Sequence, residues 1–123
     1  MPPTITLGQI ASARSGDKGN HGNIGVVAYT PEGYSWLVEH LSTARLAEYF
    51  QSLGVTAVER YEMPRVGALN FVLRDVLGGG ASQSLRIDTQ GKLLGTAVLE
   101  LELARPENLS AMLPPARSPE AGP

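Results

Sequence analysis

The sequence predicts an α+β fold: an antiparallel-rich sheet with two main helices packed on one face, a sandwich related to the ferredoxin-like arrangement. Three observations lead there. Short alternating apolar runs, bounded by Gly and Pro, recur along the chain as strands do. Two stretches between them carry apolar residues at helical spacing. A chain of 123 residues with 42% apolar and 18% charged residues has the material for one modest core.

Residues 4–13 alternate as a strand, with Ile5, Leu7, Ala11 and Ala13 on one face. A glycine-rich loop, 14–25, follows and leads into a second strand, 24–30. The turn Pro31-Glu32-Gly33 stops that strand. Residues 34–41 make a short helix with Trp36, Leu37, His40 and Leu41 inward. Ser42 is an N-cap for the next helix, whose Leu46, Tyr49, Phe50 and Leu53 fall on one face before Gly54 ends it.

A third strand, 55–63, ends at Pro64. The spacing of Leu69, Val72, Leu73, Val76 and Leu77 predicts a second good helix over 67–77, stopped by Gly78-Gly79-Gly80. Two last strands, 84–88 and 94–103, join through a turn at 89–92; Ala97, Leu99, Leu101 and Leu103 share a face in the second. Domain 1–103 is followed by a Pro-rich, loose tail over 104–123, in which Leu109, Met112 and Leu113 are the residues able to dock. A chain this short leaves the far sheet face uncovered, so association is expected.

Composition excludes several functions. A formal charge of −2 and no basic stripe argue against nucleic acid or an anionic membrane as partner. With no cysteine there is no disulfide, zinc thiolate or thiol catalysis. Met1-Pro2-Pro3-Thr4 lacks the pattern of a signal peptide, and no apolar run reaches bilayer length. A cytoplasmic location is the expectation, with no membrane association.

The chemistry gathers in Arg14-Ser15-Gly16-Asp17-Lys18-Gly19-Asn20-His21-Gly22-Asn23-Ile24-Gly25. This is neither a phosphate-binding P-loop nor a dinucleotide fingerprint, because no Gly-Lys-Ser/Thr occurs and a strand follows rather than a helix. It reads as an anion cradle, with backbone N–H groups forming a nest and Arg14 and Lys18 as countercharge. Phosphate, carboxylate and a coenzyme A thioester all suit it. The plainer reading is a hairpin loop held in shape by Asp17, Asn20 and Asn23.

Lys18, Asp17 and His21 are the candidate catalytic residues; Arg14, Ser15, Gly16, Gly19, Asn20, Asn23 and Asn70 are the candidate ligand-binding residues. Histidine is the side-chain type suited to proton transfer near neutral pH, so His21 suits a general base, or is simply a solvated histidine. His40 and Trp36 read as structural. Arg60-Tyr61-Glu62-Met63-Pro64 sets a cation, a phenol and a carboxylate at a strand end, where Arg60 and Glu62 also suit an ordinary ion pair. Asn70, polar inside an apolar run, either caps a loop or lines a pocket. Arg86 and Asp88 read as a structural pair. No metal site is expected, and no cofactor is identified.

Three stretches together resemble a known family: Ala13-Arg14-Ser15-Gly16-Asp17-Lys18-Gly19-Asn20 with Asn23-Ile24-Gly25; Arg60-Tyr61-Glu62-Met63-Pro64; and Gly67 to Leu73 with Gly78-Gly79-Gly80 and Ser84 to Lys92. The sequence is similar to the small ferredoxin-fold-like C-terminal domain of acyclic terpene utilisation protein A (AtuA-like) proteins, here expected as a stand-alone chain. The resemblance implies a place in acyclic terpene and branched acyl-CoA catabolism and a large AtuA-like protein as partner.

The first expectation is therefore a small auxiliary subunit whose glycine-rich loop contributes to an anion or acyl-CoA site. The alternatives are an independent lyase- or hydratase-type enzyme on a CoA-linked substrate, with Lys18 or His21 as base, and a homo-oligomeric scaffold.

Overall fold

The computed structural model describes residues 3–18, 21–75 and 90–114, with only the backbone described at 17, 18, 53 and 90–93. Within them the strands are β1 (Thr4–Thr6), β2 (Ala11–Lys18), β3 (His21–Ala28), β4 (Ala57–Met63), β5 (Ala68–Arg74) and β6 (Glu102–Ala104). The helices are α1 (Pro31–His40), α2 (Thr43–Tyr49) and α3 (Gln90–Val98). Strands β2-β3-β5-β4 form one antiparallel sheet in that spatial order, and β1 pairs with β6 in a separate two-stranded ribbon. The α+β class and the antiparallel sheet agree with expectation; the helices number three rather than two among the described residues.

One face of the sheet carries the core. Ile24 and Val26 of β3 lie opposite Phe71 and Leu69 of β5, and all four are buried. Leu37 of α1, Leu46 of α2, and Leu94 and Val98 of α3 join them in a single cluster. The helices pack on β3, β4 and β2–β3 respectively. Ile5 and Leu103 bring the β1–β6 ribbon into the same core.

Two helix starts carry side-chain caps, of which Ser42 was legible in the sequence. Ser42 accepts the Arg45 backbone N–H at 3.2 Å and begins α2 as expected. Thr30 accepts the Gly33 N–H at 3.0 Å, so Pro31-Glu32-Gly33 is the first turn of α1 rather than a separate turn. Pro suits that position because its missing N–H has no helical partner there. Each cap contributes about 1 kcal/mol. Gly54 takes the left-handed conformation, φ 83°, after a 3-10 turn at Gln51–Leu53.

Four expectations are corrected. The stretch 67–77, expected as a helix, forms the central strand β5 over its described part. Leu69, Phe71 and Leu73 are buried in strict alternation, while Asn70, Val72 and Arg74 are half-buried on the other face. That period of two is satisfied by pairing with both β3 and β4, which outweighs the helical coincidence of Leu69, Val72 and Leu73.

The stretch 94–103, expected as a strand, begins as the second half of helix α3, which ends at Val98; Leu94, Val98 and, past the following turn, Leu101 are buried. Only Glu102–Ala104 is extended. The first strand is interrupted by a 3-10 turn at Leu7–Gln9, in which the Gln9 carboxamide accepts the Thr6 N–H at 2.9 Å. The glycine-rich stretch is not an irregular loop: 14–18 and 21–25 are paired strand.

The expected strand 84–88, the triple glycine and the pair Arg86–Asp88 lie outside the described residues, as does 115–123 of the expected tail. Met112 docks on this chain, fully buried in the core, with Leu109 packed against it.

Candidate functional site on the open sheet face

Pleating divides the motif between two faces. A strand sends successive side chains to opposite sides, so Arg14 and Gly16 of β2 share a face with Asn23 and Gly25 of β3. The helices cover the other side. On this open face the cross-strand rows run Arg14–Gly25–Asn70–Tyr61 and Gly16–Asn23–Val72–Glu59. Asn70, assigned by sequence to a helix, is thus brought beside the motif from 45 residues away.

The two glycines make room. A Cβ on Gly16 would lie 3.3 Å from Asn23 Oδ1, and one on Gly25 would lie 3.9 Å from Asn70 Oδ1. Each carboxamide therefore leans over a bare backbone position. Among the described residues, the side chains of Arg14, Asn23 and Asn70 have no hydrogen-bond partner, and Arg14 is exposed. Three polar groups with unused donors and acceptors surround a floor of two glycines.

A backbone nest is not formed by the described glycines of β3. That strand is paired on both sides, with Gly22 and Gly25 set against β2 and β5. Its peptide groups face strand neighbours, so recognition on this face falls to side chains. Gly19 and Asn20 lie outside the described residues.

Ser15 points the other way. Its Oγ accepts the Gly95 backbone N–H at 2.7 Å, tying α3 to β2. A Cβ on Gly95 would sit 2.9 Å from that oxygen and 3.2 Å from the Ser15 nitrogen, so only glycine allows this approach. Gly95 is a residue that sequence reasoning missed; the signal was a glycine inside an apolar helical pattern.

His21 is a strand residue, opposite Lys18 at the end of the β2–β3 hairpin. Its Nδ1 accepts the backbone N–H of Asp75 at 2.9 Å, which leaves the imidazole proton on Nε2. Asp75 has φ 63°, a conformation costly for a residue with a Cβ. It is held by His21 on one side and on the other by the Thr56 hydroxyl, which donates to Asp75 Oδ2 at 2.7 Å. Asp17, one residue before the end of β2, pairs with Gly22.

Glu59, Tyr61 and Arg74 satisfy one another on this face. Tyr61 donates its hydroxyl to Glu59 at 2.6 Å, and Arg74 donates to the other Glu59 oxygen at 2.9 Å. These two hydrogen bonds, Tyr61 first, hold the Glu59 carboxyl below its ordinary range, and the bond to Glu59 pushes the Tyr61 phenol up.

Arg60 belongs to the core side, opposite Phe71. Its guanidinium donates to the carbonyls of Val38 at 2.9 Å and Leu41 at 3.1 Å, closing the end of α1, and pairs with Glu62 at 3.0 Å. The ordinary ion pair is the one that forms. Trp36 and His40 stack at 4.4 Å between ring centroids.

Beyond the second glycine the face turns apolar. Val27, Ala68 and Met63 form the next row beside the exposed Ser12 of β2, and Val27 and Met63 are 37% and 47% exposed. Among the described residues, shallow clefts lie away from the motif. One, of about 480 Å³, runs past Trp36, His40 and Arg45. Another, about 370 Å³, lies between the start of α1 and the Pro64–Val66 turn and includes Tyr34, whose buried hydroxyl has no partner among the described residues. The open face itself is broad, with polar groups at one end and apolar ones at the other.

Comparison with curated proteins and with solved structures returns no match. A family model does match, over residues 5–104, and it spans β1 through β6 together with every described residue of the open face. No helix among the described residues is long and apolar enough to cross a membrane. With residues 5–104 matched, the chain belongs to the AtuA ferredoxin-like domain family.

Proposed function

We propose that this domain is a small auxiliary subunit of an AtuA-like protein, docking through its open sheet face and contributing the Arg14–Asn70 cluster to a shared site. One observation carries this reading. A four-stranded sheet has a face uncovered by any described element, and the motif of the sequence supplies that face with unpaired polar groups. An uncovered sheet face suits a protein partner, since an isolated small ligand needs a concavity to lose most of its solvent. Family membership supports a larger AtuA-like chain as that partner.

The shared site takes an anionic or acyl-CoA-type ligand, in keeping with a role in acyclic terpene and branched acyl-CoA catabolism. The alternative anchoring, a homo-oligomer through the same face, gives a different experimental outcome. Co-expression with the larger AtuA-like protein of the same genome, followed by affinity capture, yields a complex that the Arg14→Ala, Asn23→Ala, Asn70→Ala variant weakens. Failure of the wild-type protein to co-purify contradicts the subunit reading.

A further inference from the structure

We infer that His21 and Asp75 form a proton-operated latch at the end of the sheet where β3 begins and β5 finishes. Neutral His21 holds the Asp75 backbone N–H. Protonated His21 gives that N–H up and takes the Asp75 carboxylate instead. The latch needs neither partner nor ligand, so it stands or falls apart from the docking reading above.

Hydrogen-bond chemistry carries the argument. The Asp75 N–H donates to His21 Nδ1 at 2.9 Å, so that nitrogen must keep its lone pair. An imidazole that gains a proton carries N–H on both nitrogens. Two donors then face each other, and the bond to the Asp75 N–H is lost. A replacement acceptor is close by, because Asp75 Oδ1 lies 4.0 Å from the same Nδ1. The Thr56 hydroxyl donates to the other carboxylate oxygen, Oδ2, at 2.7 Å and keeps the carboxylate beside the ring.

The bond holds a residue in an uncommon conformation. Among the described residues, Asp75 is the non-glycine with a positive φ, 63°. Aspartate enters that region more readily than most residues, at a cost comparable to one hydrogen bond. One bond is therefore enough to matter.

Three strands meet at the latch. His21 opens β3, Asp75 follows the last residue of β5, and Thr56 precedes β4. The Thr56 backbone N–H donates to the Arg74 carbonyl at 3.0 Å, tying β4 to the same corner. Losing the His21 bond unties β3 from it, one same-face step from the Asn23–Val72 pair.

The ring is open to protons from bulk water, since the His21 and Asp75 side chains are 36% and 49% exposed. Two carboxylates favour its charged form: Asp75, and Glu59 of β4, which feels a positive His21. Arg74 of β5 is a cation on this face, but it is paired with Glu59 at 2.8 Å. On β2, Lys18 is the register partner of His21, and Asp17 that of Gly22.

The test is an NMR titration of the full chain from pH 8 to pH 5, the interval in which histidine as a residue type changes charge. At pH 8 the His21 ring is expected as the Nε2–H tautomer, read from its ¹⁵N shifts. As the pH falls, the Asp75 amide proton is expected to shift with the same midpoint as the ring. Amide exchange at Asp75, corrected for its intrinsic pH dependence, is expected to lose about tenfold in protection, the loss of one hydrogen bond. His21→Gln is expected to abolish both responses. His40→Gln, at the stack with Trp36, is expected to leave them intact.

An Nδ1–H tautomer at pH 8 overturns the inference. So does an Asp75 amide that stays unchanged while His21 titrates, or one that responds equally in His21→Gln.

Discussion

The hydroxyl of Ser15 accepts the backbone N–H of Gly95 at 2.7 Å, joining two residues 80 positions apart and seating helix α3 directly on strand β2. The contact converts one residue of the glycine-rich motif into a structural post. Its neighbour Arg14 is thereby fixed on the opposite side of the sheet, facing solvent.

Gly95→Ala is expected to destabilise the protein by about 1–3 kcal/mol, since the new methyl meets the Ser15 hydroxyl at 2.9 Å and backbone beyond it. Ser15→Ala is milder, about 1 kcal/mol for the bond to Gly95, because it removes side-chain hydrogen bonding without forcing the elements apart. Urea unfolding followed by circular dichroism measures both. A Gly95→Ala protein as stable as the wild type contradicts this packing.

The alternation of β5 gives a second expectation. Phe71→Ala empties a fully buried site and costs about 3–5 kcal/mol. Asn70→Ala, one residue away on the open face with no partner among the described residues, stays within about 0.5 kcal/mol of wild type. Thermal unfolding of the two variants separates a strand from the helix that apolar spacing predicted.

Much of this fold was legible in local chemistry. Ser42 and the strand ending at Pro64 are local signals, each met at its residue; Gly54 closes a 3-10 turn instead, α2 having stopped at Tyr49. The exchange of helix and strand at 67–77 and 94–103 arose where local patterns are ambiguous. Leu69, Leu73 and Val72 suit a helix or a buried strand equally, and pairing with the distant β3 decides. The importance of the motif was legible from its density of polar groups. Its division between two faces was not, because that depends on strand register. Asn70 stood out as an odd polar residue, yet only the β3–β5 pairing places it beside Gly25.

The Glu59–Tyr61 pair sets a pH dependence with a definite sign. The Glu59 carboxyl is held below its unfolded range, so its contribution to stability is present above that range and is lost as pH falls through the lowered folded value. The Tyr61 phenol is held above its ordinary 10.0, so its contribution is present below that value and is lost as pH rises past it toward the raised folded value. Tyr61→Phe removes the first of the two hydrogen bonds on Glu59 and is expected to raise the Glu59 pKa, read by NMR titration of its side-chain carboxyl. An unchanged Glu59 titration contradicts the hydrogen bond.

Arg60 serves as a control for any functional claim on the Arg60–Met63 stretch. Arg60→Met leaves the last carbonyls of α1 without their donor and is expected to lower stability by about 1–3 kcal/mol. Because Arg60 faces the core side, binding of the larger AtuA-like chain to the open face is expected to persist in that variant. Loss of binding with unchanged stability places Arg60 in the recognition surface instead.

The most direct test of the open face as the working surface is calorimetric titration of this protein into the purified larger AtuA-like chain, repeated with Arg14→Ala, Asn23→Ala, Asn70→Ala. The expected result is saturable binding by the wild type and binding weakened by tenfold or more in the variant, whose unfolding curve matches the wild type. Equal binding by both proteins, or none by either, contradicts it.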